Sequence, residues 1–517
     1  MKLYSFIKLL LLTCIIPVTL YAQPKVSYSD AFPEPREGQD FLYILSNGNT
    51  VWMHIDNTLA FKVYDAARSQ ILNKTIVYKP QMGTDSKLSF GIKEAFENNG
   101  NLVVFVQRET AGAYGTFRNV ERTLFRVIIN PNNGEAKEFT ELANSDIIKR
   151  NGYDITEMVS NDIHVAKDPI TGNYAVLRTN GYTEKGTDRI KVWVYNPDNQ
   201  LVKEAVVNTP ANDKKFIHLT GFTFCNNAVY IGTTEDDAKQ SKNYNIPYYL
   251  SKLSMESSSF ETKELPLNPS HINSKMVLKY HPKTNVLYLV TSTKKKGEMI
   301  AGITLINPNT LSIDKSEVIS NNKLAGYSMN NLNDKNGFEI EECDLLLNPD
   351  GSVLVVTEST FEKAFSTGKS SYTKTYTEKI GLIAFDRAGN EVRANAIRVR
   401  PDAIVSGASG SYYSYMLQNI KGDQYLFIND IDENFNNDGK EQYKMISSIS
   451  DANTIVYKIQ GGKIEKSYLF GKPTGKNDSR FAMIGKCYYS ESNNTLVTII
   501  TDRKNNVKTS KLAWAEF

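Results

Sequence analysis

Two neighbouring stretches decide the fold: DPITGNYAVL, residues 168–177, and IKVWVYNPDN, residues 190–199. Each joins a run of Val, Ile, Leu, Tyr and Trp to a turn built from Asp, Pro, Gly and Asn. Such β-branched and aromatic runs, bounded by turn residues, read as strands. The same texture recurs at 102–106, 124–129, 286–290 and 496–500, and almost no segment carries sustained helical periodicity. The chain is expected to be all-β.

Working outward, the first of these turns repeats. It stands at 46–49, 98–101, 168–173, 225–227, 281–285, 348–351, 421–423 and 492–494. Eight turns from Asn47 to Asn493 enclose seven intervals of about 64 residues, the kind of period that marks a repeat architecture. A second turn falls late in most units, at 130–134, 196–199, 307–310, 386–389 and 460–462. Both types are rich in residues that tolerate positive φ or preset a turn, as tight antiparallel hairpins require. Strand, tight turn, strand, longer connection, strand, tight turn, strand describes one four-stranded antiparallel blade. A lone blade exposes two apolar faces, which radial packing buries.

Over residues 23–517 the chain therefore resembles a β-propeller. Eight blades are expected, with seven the alternative. The last unit, from about Arg480, holds only three strands, and residues 25–30 are expected to supply the fourth and close the ring. The competing architecture is two or three β-sandwiches, but no Pro- or Ser-rich linker divides the chain. There is no Trp-Asp blade signature and no double-glycine kelch pattern, so the resemblance implies architecture and no activity.

Residues 1–22 read as a secretory signal: Lys2 and Lys8, an apolar stretch broken by Pro17, and Ala22 before Gln23. Thr13 ahead of Cys14 is a poor fit to a lipidation site. The expectation is an exported protein, periplasmic or secreted and at most associated with the outer membrane. No later segment has the ~20 apolar residues of a membrane helix. The 517 residues carry 60 Lys plus Arg against 57 Asp plus Glu. Without the leader lysines the balance is 58 to 57, which leaves no electrostatic footprint for nucleic acid. Cys225, Cys343 and Cys487 form no C-x-x-C pair, and buried thiols are expected.

The connections from second to third strand are repeatedly long, at 107–122, 233–247, 357–379 and 429–452. All leave one face of a propeller, and loops of such length usually carry function. Tyr114 and Phe117 in the first of them, with Tyr412, Tyr413 and Tyr415, are candidate ligand-binding aromatics. Asn434, Asn436, Asp438 and Gly439 match the first half of an EF-hand-like loop, suggesting calcium, though Met445 replaces the closing Glu. His164, His218 and His271 lie early in three consecutive first strands, where they are placed to meet at a channel mouth and ligate a metal. Glu339, Glu341, Glu342 and Asp344 form an acidic cluster suited to acid–base work. There is no His-Glu-x-x-His, Walker loop or Gly-x-Ser-x-Gly. No cofactor beyond calcium is implied.

These features favour a non-enzymatic binding protein that takes an envelope or extracellular protein or glycan on its long-connection face. The alternative is a hydrolase or lyase acting on a polysaccharide or small ligand at the channel mouth.

Overall fold

The computed structural model describes residues 24–517 apart from 34–37, 57, 77–86, 112–119, 146–161, 181–188, 208–215, 237–246, 268–275, 296–297, 321–339, 367–370, 399–401, 404–414, 438–443, 445, 447–448, 461–462, 476–477 and 505–506. The proposed leader lies outside the described residues. Among them, no helix is long and apolar enough to cross a membrane.

The turns do locally what their composition requires. Asn226 and Asn227 both take positive φ (49° and 58°), as do Lys421 and Gly422 (52° and 90°), so these two-residue hairpins match the right-handed twist of their strands. Each such turn folds the chain back on itself, and eight antiparallel sheets follow in sequence. Blades 1 to 7 occupy residues 39–76, 87–144, 162–206, 216–265, 276–320, 340–398 and 416–468, with strands paired in the order first to fourth. Blade 8 spans 479–516, and its fourth strand is Lys25–Tyr28, paired from Lys25↔Glu516 to Tyr28↔Ala513. Ser29 and Phe32 extend the closure by donating backbone hydrogen bonds to Leu512 and Ser510. The protein is an eight-bladed propeller closed by its N-terminal strand, as the turn count and the incomplete last unit predict.

Eight described apolar clusters each fill one gap between neighbouring blades. Val51, Met53 and Phe61 of blade 1 meet Val104 and Ile129 of blade 2. At the closing gap Leu42 and Trp52 of blade 1 meet Ile499 and Trp514 of blade 8. Strand alternation sends one side-chain set to each neighbour, so every blade serves two cores and none is stable alone.

A second closure runs around the tight-turn face. Glu97 accepts from the Ser46 amide and hydroxyl at 2.8 and 2.9 Å, and Asn98 donates to the Gly172 carbonyl at 3.1 Å. Asp168 receives the Asn227 amide at 2.9 Å, while Tyr280 bonds the Asn226 side chain. His281 Nε2 donates to the Asn348 carbonyl at 2.9 Å, and Asn419 donates to Asn348 Oδ1 at 2.8 Å. Lys421 reaches the Phe517 carbonyl, and Asn493 returns to the Leu45 carbonyl at 3.4 Å. Each of the eight blade boundaries thus carries a bond between turns, and the ring ends where it began.

One repeated position has a signal in the sequence that turn counting overlooks. In seven blades the second strand bears a polar residue four or five places after its first apolar residue: Gln107, Thr179, Thr233, Thr291, Thr357, Asn429 and Thr501, all buried. Blade 1 has Ile55 there. The layer lies below the long-connection face, and Thr179, Thr357 and Asn429 of it fasten strands to one another. Asn429 shows how: it donates to the Ala482 carbonyl of blade 8 at 2.7 Å and accepts from Thr454 at 2.8 Å.

Candidate functional site

First strands line the axis, because those of adjacent blades touch. An added Cβ on Gly221 of blade 4 would lie 2.5 Å from Leu278 Cβ of blade 5, a separation only glycine permits. In alternate blades this inner strand bulges. The register slips between Ile92 and Glu94, between Leu219 and Gly221, and between Ile340 and Glu342, leaving Lys93, Thr220 and Glu341 unpaired. A bulge re-aims the side chain it carries and is common beside functional sites.

Lys93 Nζ sits 3.2 Å from Asp162 Oδ1, across the boundary between blades 2 and 3. His164 Nε2 stands 3.7 Å from the other carboxylate oxygen, a charge contact rather than a hydrogen bond. Lys93 and His164, with Ile163, Leu219, Thr220 and Phe222, help line a cavity of about 330 Å³. Burial pushes the Asp162 carboxyl up, but His164, Lys93 and the Ile163 amide outweigh it and hold the group below the usual aspartate range. Burial lowers His164, and Lys93 and Arg122 add to that against the pull of Asp162. At neutral pH the cluster therefore offers a carboxylate and a neutral imidazole beside the Lys93 side chain, a set able to bind a polar ligand or to accept a proton.

The long connections on the opposite side from the tight turns are in part not loops. In blade 6, Val353–Ser366 and Ser371–Phe385 pair out to Ser366↔Ser371, with one register shift between Ser359 and Thr360. Among the described residues the first strand's last pair is Ile340↔Ser359 and the fourth's is Lys379↔Arg398. Residues 360–366 and their partners therefore rise as a hairpin arm, roughly 20 Å at ~3.3 Å per residue. Asp402–Ala403 pairs along this arm at Tyr376 and Thr375. In blade 5, Ser292 to Lys295 likewise continue past the first strand's last pair, Met276↔Thr291. In blade 2 the second and third strands run Asn101–Ala111 and Val120–Asn130, so half of 107–122 is strand too. Once the second and third strands keep their alternation, pairing simply continues, which a reading of turn composition does not reveal.

The blade 7 connection is folded rather than extended. A short helix, α1 (Asp432–Phe435), is followed by a 3₁₀ turn at Ile449–Asp451. Asn434 is buried and has both ends of its carboxamide occupied: Nδ2 donates to Asp430 Oδ1 and the Lys444 carbonyl at 2.7 and 2.8 Å, and Oδ1 accepts the Lys444 amide at 2.8 Å. Asn436 donates to the Asp432 carbonyl. Both asparagines thus brace the loop through their side-chain amides; Asp438 lies outside the described residues. Phe435 stacks on Tyr468 at 4.1 Å.

The remaining candidates separate. His164 and His218 stand on inner strands of adjacent blades, while His271 lies outside the described residues. Among those residues no group of three His, Cys, Asp or Glu is placed to hold a metal. Tyr415 packs against the core between blades 6 and 7; Tyr114, Phe117, Tyr412 and Tyr413 lie outside the described residues. Of the acidic cluster, Asp344 is bound by Lys279 of blade 5 at 2.9 Å and so serves a blade boundary. Cys225 is buried, Cys487 partly so, and both are free thiols. Burial pushes both up, Cys487 to about 12.

No known family model and no curated protein matches the chain. Among solved structures it is similar to the Dos1 propeller, at 10% identity and a TM-score of 0.43 over 95% of each chain. It is also similar to the WD40 domain of SCAP from fission yeast, at 9% identity and 0.39 over 96% of this chain and 98% of that one. A third is the phage phi92 endosialidase, at 10% and 0.37 over 89% and 73%. These likenesses concern the fold alone.

Proposed function

We propose that this chain is an exported binding protein that engages a protein of the cell envelope or the extracellular space through its long-connection face. The observation that carries the reading is the asymmetry between faces. One is trimmed to short turns and sealed by bonds from blade to blade. The other bears the blade 6 arm and the folded blade 7 loop, whose 3₁₀ turn is anchored by Ser479 and Arg503 of blade 8. A rigid ring that presents such projections loses little freedom on binding, and the paired edges of a hairpin suit a protein partner.

The test removes residues 361–375 and joins Thr360 to Tyr376 through Asn-Gly. The trimmed protein is expected to keep its far-ultraviolet spectrum and melting temperature. It should also lose the partners that wild-type protein enriches from envelope extract. Retention of the same partners overturns the reading. The Lys93, Asp162 and His164 cluster favours a second reading, a hydrolase or lyase at the channel. It requires that polysaccharide cleavage by wild type vanish in His164→Ala.

A further inference from the structure

The tight-turn face is sealed near the axis but open farther out between blades 6 and 7. There a groove of about 980 Å³ runs from the inner turns of both blades to their third strands and to the turn of blade 8. We propose that this groove binds a neutral oligosaccharide, at a site separate from the long-connection face.

Three observations lead there. First, the lining is a set of side-chain amides and carboxylates fixed by their own turns. Asp350 Oδ1 accepts the Ser352 amide and hydroxyl at 2.9 and 2.6 Å, and Asn419 is held between Asn348 and the Gly422 amide. Amides both donate and accept while carboxylates accept strongly, which is the complement of adjacent sugar hydroxyls. Preorganised by these bonds, the groups lose little entropy on binding.

Second, Gln424 lines the groove, is 7% exposed, and its Oε1 has no hydrogen-bond partner. A buried acceptor left unmatched destabilises the unliganded protein, and a hydroxyl donor from a ligand removes that cost. Third, the charges are wrong for an anionic polymer. The lining holds four carboxylates, Asp350, Asp386, Asp423 and Glu491, against two cations, Lys421 and Arg393; Lys421 is spent on the Phe517 carbonyl and Asp423 is paired with Lys458 at 2.8 Å. Asp350 and Glu491 have no ion-pair partner among the described residues. Hydrogen bonds from the turns and the nearby His281 hold Asp350 below the usual carboxylate range despite its partial burial. Ionised carboxylates repel a phosphate or sulfate chain, whereas uncharged hydroxyls donate to them.

The test is native electrophoresis of the full chain in gels cast with α-mannan, β-1,3-glucan, pullulan or xylan. The expected result is retarded migration in at least one gel, unchanged between 50 and 300 mM salt. Gln424→Met keeps shape and removes the orphan acceptor, so it should weaken retardation at least tenfold without lowering the melting temperature. Asp350→Asn/Glu491→Gln, which preserves the turns, should weaken it similarly. Neither substitution touches the blade 6 arm, so envelope partners captured on the other face should be unaffected. No retardation in any of the four gels overturns the proposal, as does retardation that survives both variants. Salt-sensitive binding of a Lys-rich peptide in place of any polysaccharide also overturns it and identifies the groove as an acidic peptide site.

Discussion

Asp430 sits at the root of the blade 7 loop with 2% of its surface exposed. One carboxyl oxygen accepts the Ile431 amide at 2.8 Å and Asn434 Nδ2 at 2.7 Å, and the other has no partner. Burial dominates and Glu433 adds to it. Against the opposing pull of Asn434, the Ile431 amide and Lys466, the group is pushed up from 3.8 to about 7. A raised acid pKa means that the folded loop holds the proton more tightly than the open chain does. Its stabilising contribution is whole below pH 3.8, falls as pH climbs through 7, and is flat above. Three units at ~1.4 kcal/mol each set a ceiling of about 4 kcal/mol on that fall.

Asp430→Asn keeps the acceptor that serves Ile431 and Asn434 and cannot ionise. It should therefore hold the loop with no pH-dependent loss. The assay is hydrogen exchange of residues 431–437 and 446–453 at pH 5.5 and pH 8, with each protein's protection corrected for intrinsic rate. Wild type should already be less protected than the variant at pH 5.5 and should lose a further tenfold or more by pH 8. An equal ratio at both pH values refutes the reasoning, and so does a variant less protected at pH 8 than wild type, since then the ionised carboxylate is what holds the loop.

Trp514→Ala should cost about 3–5 kcal/mol in urea unfolding, since this buried ring fills the closing gap and donates from Nε1 to Thr50 Oγ1 at 2.8 Å. Gly221→Ala forces a methyl group against Leu278 and should lower stability by about 1–3 kcal/mol, whereas a glycine-to-alanine change at an open turn with ordinary φ would leave the melting temperature almost unmoved. His164→Gln should flatten the acid limb of the stability profile. The lowered imidazole pKa means stability is lost as pH falls below 6.5, and a limb unchanged by the substitution, read from melting temperatures between pH 4.5 and 7, contradicts that.

The parts of the molecule written in local chemistry were legible from residues alone. Asn226, Asn227 and Gly422 take positive φ readily because of what they are, wherever they stand in space. Eight such punctuations and an incomplete last unit suffice to count the blades and to assign Lys25–Tyr28 to blade 8. His164 and His218 were likewise placed correctly on inner strands, but that Lys93 and Asp162 stand beside His164 was not visible. Lys93 reaches the channel through a bulge, and bulges arise from the fit between neighbouring strands, not from composition.

Asn434 illustrates the same boundary from the other side. Its spacing from Asn436 and Asp438 suits an ion, yet packing turns its amide onto Lys444 and Asp430. The polar side chains at Gln107, Thr179 and their equivalents recur in plain sight, but their burial becomes meaningful only once blades stand side by side. What the amino-acid order determined is therefore the blade, its turns and their number, since these follow from backbone preferences over a few residues. What tertiary structure decided is everything that depends on the distance between blades: the ring of turn bonds, the channel cluster, and the groove between blades 6 and 7. Those distances are set when eight apolar gaps close together, and no single segment carries that information.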